Sequence, residues 1–192
     1  RKMFGVEDNV EVVHNFIDTK RFMPSKGQAW HQREDQERVI VHASNFRPVK
    51  RVADVVRAFS KIQRQLPARL LLIGDGPDRE HALAVANDLG CGHRVEHAGM
   101  RDDLNEILPS TDLFLSASET ESFGLSILEA MSCGIPCVST DVGGVAEVLG
   151  DTGSLVSLGK PDEMARAAID VLTNPDAYDR MATSTRQRSI DL

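Results

Sequence analysis

Short apolar runs alternate with longer amphipathic stretches along most of this chain. Arg38 to Ala43, centred on Val39-Ile40-Val41, is one such run. Leu70-Leu71-Leu72-Ile73 and Leu113-Phe114-Leu115 are two more. Runs this short and uniformly apolar predict strands covered on both faces, as in a parallel sheet. Apolar positions 52, 55, 56, 59, 62 and 66 predict a helix from Val52 to Leu66, which Pro67 stops. Leu125, Leu128 and Met131 predict another. Further strands are expected at Val10 to Val13, Arg94 to His97, Ile135 to Ser139 and Thr152 to Val156. Further helices are expected at about Asp78 to Leu89, from Arg101 to Leu108, up to Leu149, from Pro161 to Leu172 and from Pro175 to about Arg188. Pro24 to Glu37 is polar and reads as a surface connection, in which Trp30 is either a cover for the core or a contact residue. The repeated strand-helix order predicts an α/β fold, a Rossmann-like doubly wound parallel sheet. At 192 residues the chain fits one domain, or at most two small ones.

Charge narrows the partners. The net charge is −7, which argues against nonspecific binding to nucleic acid or to acidic membranes. No apolar run reaches membrane-spanning length and no signal-peptide pattern is present, so a cytoplasmic location is expected. Cys91, Cys133 and Cys137 make no disulfide framework, and they read as small core residues.

Candidate chemistry falls where strands hand over to helices, the edge at which open α/β sheets bind ligands. Ser44 to Arg51 follows the first central strand and carries three cations, Arg47, Lys50 and Arg51. Gly124, with the N–H groups of Leu125 and Ser126, falls at a helix N-terminus, whose free donors and partial positive charge suit a phosphate. Glu129 lies further along that helix and leans back toward the same end. Gly74-Asp75-Gly76-Pro77 begins like a dinucleotide fingerprint. The third glycine would fall at Arg79, however, and no acid stands clearly at the end of the next strand, so nicotinamide cofactors are not expected.

The string Glu121-Ser122-Phe123-Gly124-Leu125, with Glu129-Ala130 after it and Gly134-Ile135-Pro136 beyond, resembles the paired-glutamate motif of family 4 retaining glycosyltransferases. The resemblance implies a GT-B fold of two facing Rossmann-like domains, the C-terminal one binding a UDP-sugar donor. It implies Glu121 and Lys50 as catalytic residues. Donor phosphate would fall to Asn45, Arg47, Lys50, Phe123, Gly124 and Leu125, ribose to Glu129, and the nucleobase to Met100 and Arg101. Asn15 and Asp18 match an Asn-x-x-Asp element near the interdomain crossing, and His14 beside it reads as a strand-end histidine. The family's commoner Gly-Arg-Leu is replaced here by Ser44-Asn45-Phe46, which removes an arginine at position 45 and leaves open whether Arg47 compensates. The Gly143-Gly144 turn faces the donor cleft in the family, although a purely structural turn fits the residues equally well. With no Asp-x-Asp in the chain, neither a metal nor another cofactor is expected.

The resemblance covers nearly all of this chain but only the second half of a family member. Residues 1–192 are therefore expected to be the donor half without its N-terminal acceptor domain, and on their own to bind donor but barely turn over. Ser44-Asn45-Phe46-Arg47 with Val49-Lys50-Arg51, and Ser122 within Glu121-Ser122-Phe123, resemble the subgroup that transfers N-acetylglucosamine from its UDP donor to L-malate at the start of bacillithiol synthesis. A different GT-B enzyme such as a sugar-nucleotide epimerase, or a noncatalytic nucleotide-sugar-binding module, stays open as an alternative. So does assembly as a homo-oligomer.

Overall fold

The computed structural model describes residues 15–25 and 37–192. The strand expected at Val10 to Val13, along with His14 and Trp30, lies outside the described residues. Among those described, six strands form one parallel sheet: β1 (Arg38–Ala43), β2 (Ala68–Ile73), β3 (Val95–Gly99), β4 (Leu113–Ser116), β5 (Cys137–Thr140) and β6 (Ser154–Val156). Their order is β3-β2-β1-β4-β5-β6, the doubly wound Rossmann-like arrangement that the alternating pattern predicts. The helices are α1 (Val52–Ile62), α2 (Arg79–Asp88), α3 (Leu104–Ile107), α4 (Leu125–Ser132), α5 (Val145–Leu149), α6 (Pro161–Thr173) and α7 (Pro175–Asp191).

Strand side chains point alternately to opposite faces, and the core divides accordingly. Ile40, Leu70, Leu72, Leu113 and Leu115 join the apolar stripes of α1, α2 and α6 in one cluster. Val41, Leu71, Ile73 and Phe114 join α4 and α5 in the other. With both faces covered, neither could carry the polar alternation of a half-exposed strand, which is why these strands read as solid apolar runs.

Several boundaries differ from expectation, each for a local reason. The α-helical part of α1 ends at Ile62, and Gln63 to Leu66 finish as tight turns, with Gln65 and Leu66 N–H both donating to Ile62 O. Pro67 pushes Leu66 away from helical geometry, so the stop takes effect earlier than the apolar spacing suggests. The helix expected from Arg101 to Leu108 shrinks to Leu104–Ile107, followed by a 3-10 turn through Pro109. Asp103 stands at the N-cap of α3, but its carboxylate is engaged by Arg101 rather than by the helix.

Two features tie the frame together. Asp112 bridges β1 and β4 twice: Val39 N–H donates to its carboxylate at 2.7 Å, and its own N–H donates to Val39 O at 2.7 Å. On α7, the Arg186 guanidinium donates to the carbonyls of Thr19, Phe22 and Ser132, fastening the 19–22 segment to the end of α4. Cys91, Cys133 and Cys137 are buried in the core. Burial pushes the Cys133 thiol up to about 12 and raises that of Cys137 as well, so both stay protonated.

Candidate functional site

The strand order reverses between β1 and β4, and a cleft of about 450 Å³ opens above the carboxyl ends of the strands there. One wall is the loop after β1, with Ser44, Asn45 and Lys50. The opposite wall is the loop leading into α4, from Glu121 to Ser126. Gly74 and Asp75 after β2, and Met100 and Arg101 after β3, complete it.

The loop after β1 is shaped by two non-glycine residues with positive φ. Phe46 (φ 41) is fully buried, and Arg51 (φ 48) is the N-cap of α1. Pro48–Lys50 between them form a 3-10 turn. Lys50 therefore ends that turn instead of opening the long helix, and its ammonium pairs with the carboxylate of Glu121 across the cleft. The two side chains are 20% and 16% exposed, so the pair is partly withdrawn from water, and each charge is worth more to a ligand than it would be on an open surface.

Both facing loops rest on glycine turns that are remote in sequence. A Cβ on Gly74 would lie 1.7 Å from the Ser44 carbonyl oxygen, and one on Gly76 would lie 2.1 Å from that of Asn45. The Gly-x-Gly of the abortive dinucleotide fingerprint thus receives the backbone of this chain's own β1 loop. Gly143 repeats the device on the other side. Its Cβ would lie 1.9 Å from Glu121 O, and Gly144 N–H donates to that same oxygen at 3.0 Å. Neither glycine of this pair lines the cleft, so the turn acts from behind by seating Glu121.

Gly124 (φ 93) opens α4, and among the described residues no side chain caps that helix. The first-turn N–H groups are therefore left for solvent or a ligand. Phe123 packs into the core while its residue forms part of the wall. Met100 is 83% exposed at the mouth. Arg101 is held by Asp103, and the contact raises the guanidinium pKa and lowers that of the carboxyl group.

The cleft thus brings together Asn15, Asn45, Lys50, Met100, Arg101, Glu121, Phe123, Gly124, Leu125 and Ser126 of the residues singled out by sequence. Arg47 and Glu129 stand outside its lining. Arg47 is exposed and sits in extended geometry before the 3-10 turn. Glu129 is half-buried on α4, and burial raises its carboxyl pKa against the opposing pull of Arg21. Sequence reasoning passed over His42. It lies in the middle of an apolar strand and is 1% exposed, and desolvation lowers its pKa to about 4. A lone histidine inside a buried run was the available signal.

Known proteins share this chain's sequence and shape. The family profile described as Glycosyl transferases group 1 matches residues 37–174. The chain is 42% identical over 185 residues to N-acetyl-alpha-D-glucosaminyl L-malate synthase of Bacillus anthracis, covering 93% of this chain and 48% of that protein. It spans about half the length of the curated relatives it matches. Among solved structures, TarM of S. aureus, crystallised with UDP among its ligands, superposes with a TM-score of 0.85 at 20% identity, over 99% of this chain and 38% of that one. HepE of Anabaena in complex with UDP and glucose superposes with a TM-score of 0.83 at 24% identity, over 94% and 52%. At these identities the superpositions speak to the fold.

Proposed function

Because the chain belongs to the glycosyl transferases group 1 family, we propose that it is the donor-binding half of a retaining, GT-B glycosyltransferase. The donor is a UDP-sugar, UDP-N-acetylglucosamine on the likeness to the Bacillus anthracis synthase, and the acceptor is L-malate, bound mainly by the other half. The observation that carries the reading is the Lys50–Glu121 contact, set beside the uncapped N-terminus of α4 where the strand order reverses.

The chemistry follows from where charge develops. Cleaving the bond between the anomeric carbon and the diphosphate builds negative charge on the leaving phosphate and positive charge on the sugar ring. Fixed donors aimed at that phosphate lower the barrier most. Lys50 supplies a cation, and the N–H groups at Gly124 and Leu125 supply a helix N-terminus. As diphosphate enters, it competes with Glu121 for the ammonium. Glu121 is then released toward the sugar, where it accepts from hydroxyls and faces the developing ring charge. Asn45 replaces the family's arginine, so Lys50 carries more of the phosphate load. Met100 and Arg101 offer a thioether and a guanidinium face to the base.

Glu129 completes the donor site from one turn along α4 beyond Leu125. No described side chain is hydrogen-bonded to its half-buried carboxylate, and two ribose hydroxyls would supply the missing donors. Glu129→Ala is expected to weaken UDP and uridine alike, by roughly 1.5–3 kcal/mol, and to leave a 2′,3′-dideoxy analogue nearly untouched. The pH dependence has a definite sign. Burial makes the free protein hold the Glu129 proton more tightly than an ordinary carboxyl does, whereas the hydroxyls bind the carboxylate. Binding therefore releases a proton, and uridine affinity should fall as pH drops through the raised pKa. Glu129→Gln should flatten that slope in calorimetric titrations.

Transfer itself is tested with UDP-N-acetylglucosamine and L-malate, following the product and its anomeric configuration by NMR. The 192-residue chain alone is expected to bind UDP with negligible turnover. Joined to the acceptor half, it should form the α-linked malate product. UDP binding without transfer in the joined form would favour a nucleotide-sugar-binding module, and an epimerised sugar nucleotide would favour an epimerase.

A further inference from the structure

Beneath the cleft wall lies a chain of hydrogen bonds that nothing in the transfer chemistry requires by itself. The ladder between β1 and β4 pairs Ile40 with Leu113 and Val41 with Phe114, and then stops. At the next position, His42 Nδ1 lies 2.8 Å from the Leu115 carbonyl oxygen. A carbonyl only accepts, so Nδ1 carries the proton and the neutral ring presents Nε2 as an acceptor. Ser44 Oγ lies 2.9 Å from Nε2 and donates to it, and the same oxygen accepts from Phe46 N–H at 3.3 Å. The donor and acceptor roles along the relay are mutually consistent, the Ser44 hydroxyl donating to the ring and accepting from the backbone.

What the relay holds is a costly conformation. Phe46 has φ 41, a region that L-residues with a full side chain rarely enter. Its ring is pinned between the imidazoles of His42 and His97, with centroids 6.1 and 5.8 Å away. The bond from Phe46 N–H to Ser44 fixes the turn that directs the chain on to Lys50. On the far side, the Leu115 carbonyl belongs to the strand that leads to Glu121. His42 therefore touches both supports of the cleft while itself being 1% exposed.

We infer that His42 is a positioning residue for the donor site. As the Nδ1–H tautomer it orders the Ser44 hydroxyl, and through it the Ser44-to-Lys50 loop against the strand that delivers Glu121. The ligand consequence rests on the reading of the cleft as a UDP-sugar site; the tautomer and the loop geometry do not.

Two near-isosteric substitutions separate the ends of the relay. His42→Gln places an acceptor near the position of Nε2 and gives up the bond to Leu115. His42→Asn keeps a donor near Nδ1 and gives up Ser44. Each loses one hydrogen bond, so their thermal midpoints should fall by similar amounts. UDP affinity should fall about tenfold in His42→Asn and in Ser44→Ala, and by no more than about threefold in His42→Gln, because only the first two release the loop. The double variant Ser44→Ala/His42→Asn should bind UDP no worse than either single one. In the ligand-free protein, imidazole nitrogen NMR should report an Nδ1–H tautomer, and amide shifts from Phe46 to Lys50 should move further in His42→Asn than in His42→Gln. An Nε2–H tautomer, or equal amide shifts and equal UDP affinity in the Gln and Asn forms, overturns the inference. Failure of the unaltered protein to bind UDP would remove the cleft reading, and the tautomer and amide shifts would still decide the role of His42.

Discussion

Lys50→Ala is expected to weaken UDP binding by about 30- to 150-fold and to leave uridine binding within about twofold, since a charge-assisted hydrogen bond contributes roughly 2–3 kcal/mol. The asymmetry comes from the diphosphate, which only UDP carries. Two effects add in the same direction. The variant loses the ammonium, and it strands Glu121 as a partly withdrawn carboxylate without its cation, facing an incoming anion. Lys50→Ala/Glu121→Gln should therefore bind UDP more tightly than Lys50→Ala alone, even though it has lost two charged groups. The penalty of Lys50→Ala should shrink only slightly in high salt, because a pair partly withdrawn from water is screened much less than exposed charges are. Titration calorimetry with both ligands at two salt concentrations reads all of this. Equal losses for uridine and UDP would mean that Lys50 acts through the fold and not on phosphate.

Gly143→Ala should cost about 3 kcal/mol of folding stability, although Gly143 is not among the residues lining the cleft. Part of the cost is conformational, since φ is +54 at this position. The rest is contact, since a Cβ here would sit 1.9 Å from the Glu121 carbonyl oxygen and force that loop away. Gly90→Ala separates the two parts. Gly90 has φ +72, and a Cβ there would meet nothing within 4 Å, so only the conformational cost of about 1–2 kcal/mol applies. Gly143→Asn should not rescue, because asparagine tolerates positive φ but still carries a Cβ. Denaturant unfolding of the three variants provides the comparison. If Gly143→Ala and Gly90→Ala cost the same, the turn does not seat Glu121.

The sheet was legible because its strands are buried on both faces. Val39-Ile40-Val41 and Leu70 to Ile73 leave no polar alternation that would suggest another architecture. The site was legible where chemistry is local. Gly124 falls at a helix start whatever surrounds it, and Lys50 follows a strand end at a distance fixed by a short loop. What escaped the sequence is nonlocal. Nothing near Gly74 announces that Ser44 will press on it, and nothing near Gly143 points to Glu121. The ion pair joins residues 71 positions apart, and the 3-10 turn that makes it reachable is stabilised by Pro48 and a left-handed Arg51. Arg47 matched a role by proximity in sequence, yet its extended backbone leaves it outside the cleft lining. Glu129 matched by spacing and likewise stands outside that lining, half-buried on α4.

The reversal between β1 and β4 also sets an order of events for the chain as it folds. Residues 38–99 and 113–156 are each a βαβαβ half whose consecutive strands pair across single helical crossovers, each much shorter than the separation between the halves. The halves meet along one seam, where His42 and Leu115 are 73 residues apart. Closing so long a loop is slow compared with local pairing, so the seam forms late. Lys50 belongs to the first half, and Glu121 and Gly124 to the second. The cleft therefore exists only once the two halves have docked, and on the proposed reading a nucleotide lying across it would act as a clasp between them, stabilising the joined state by mass action and slowing its opening to proteases.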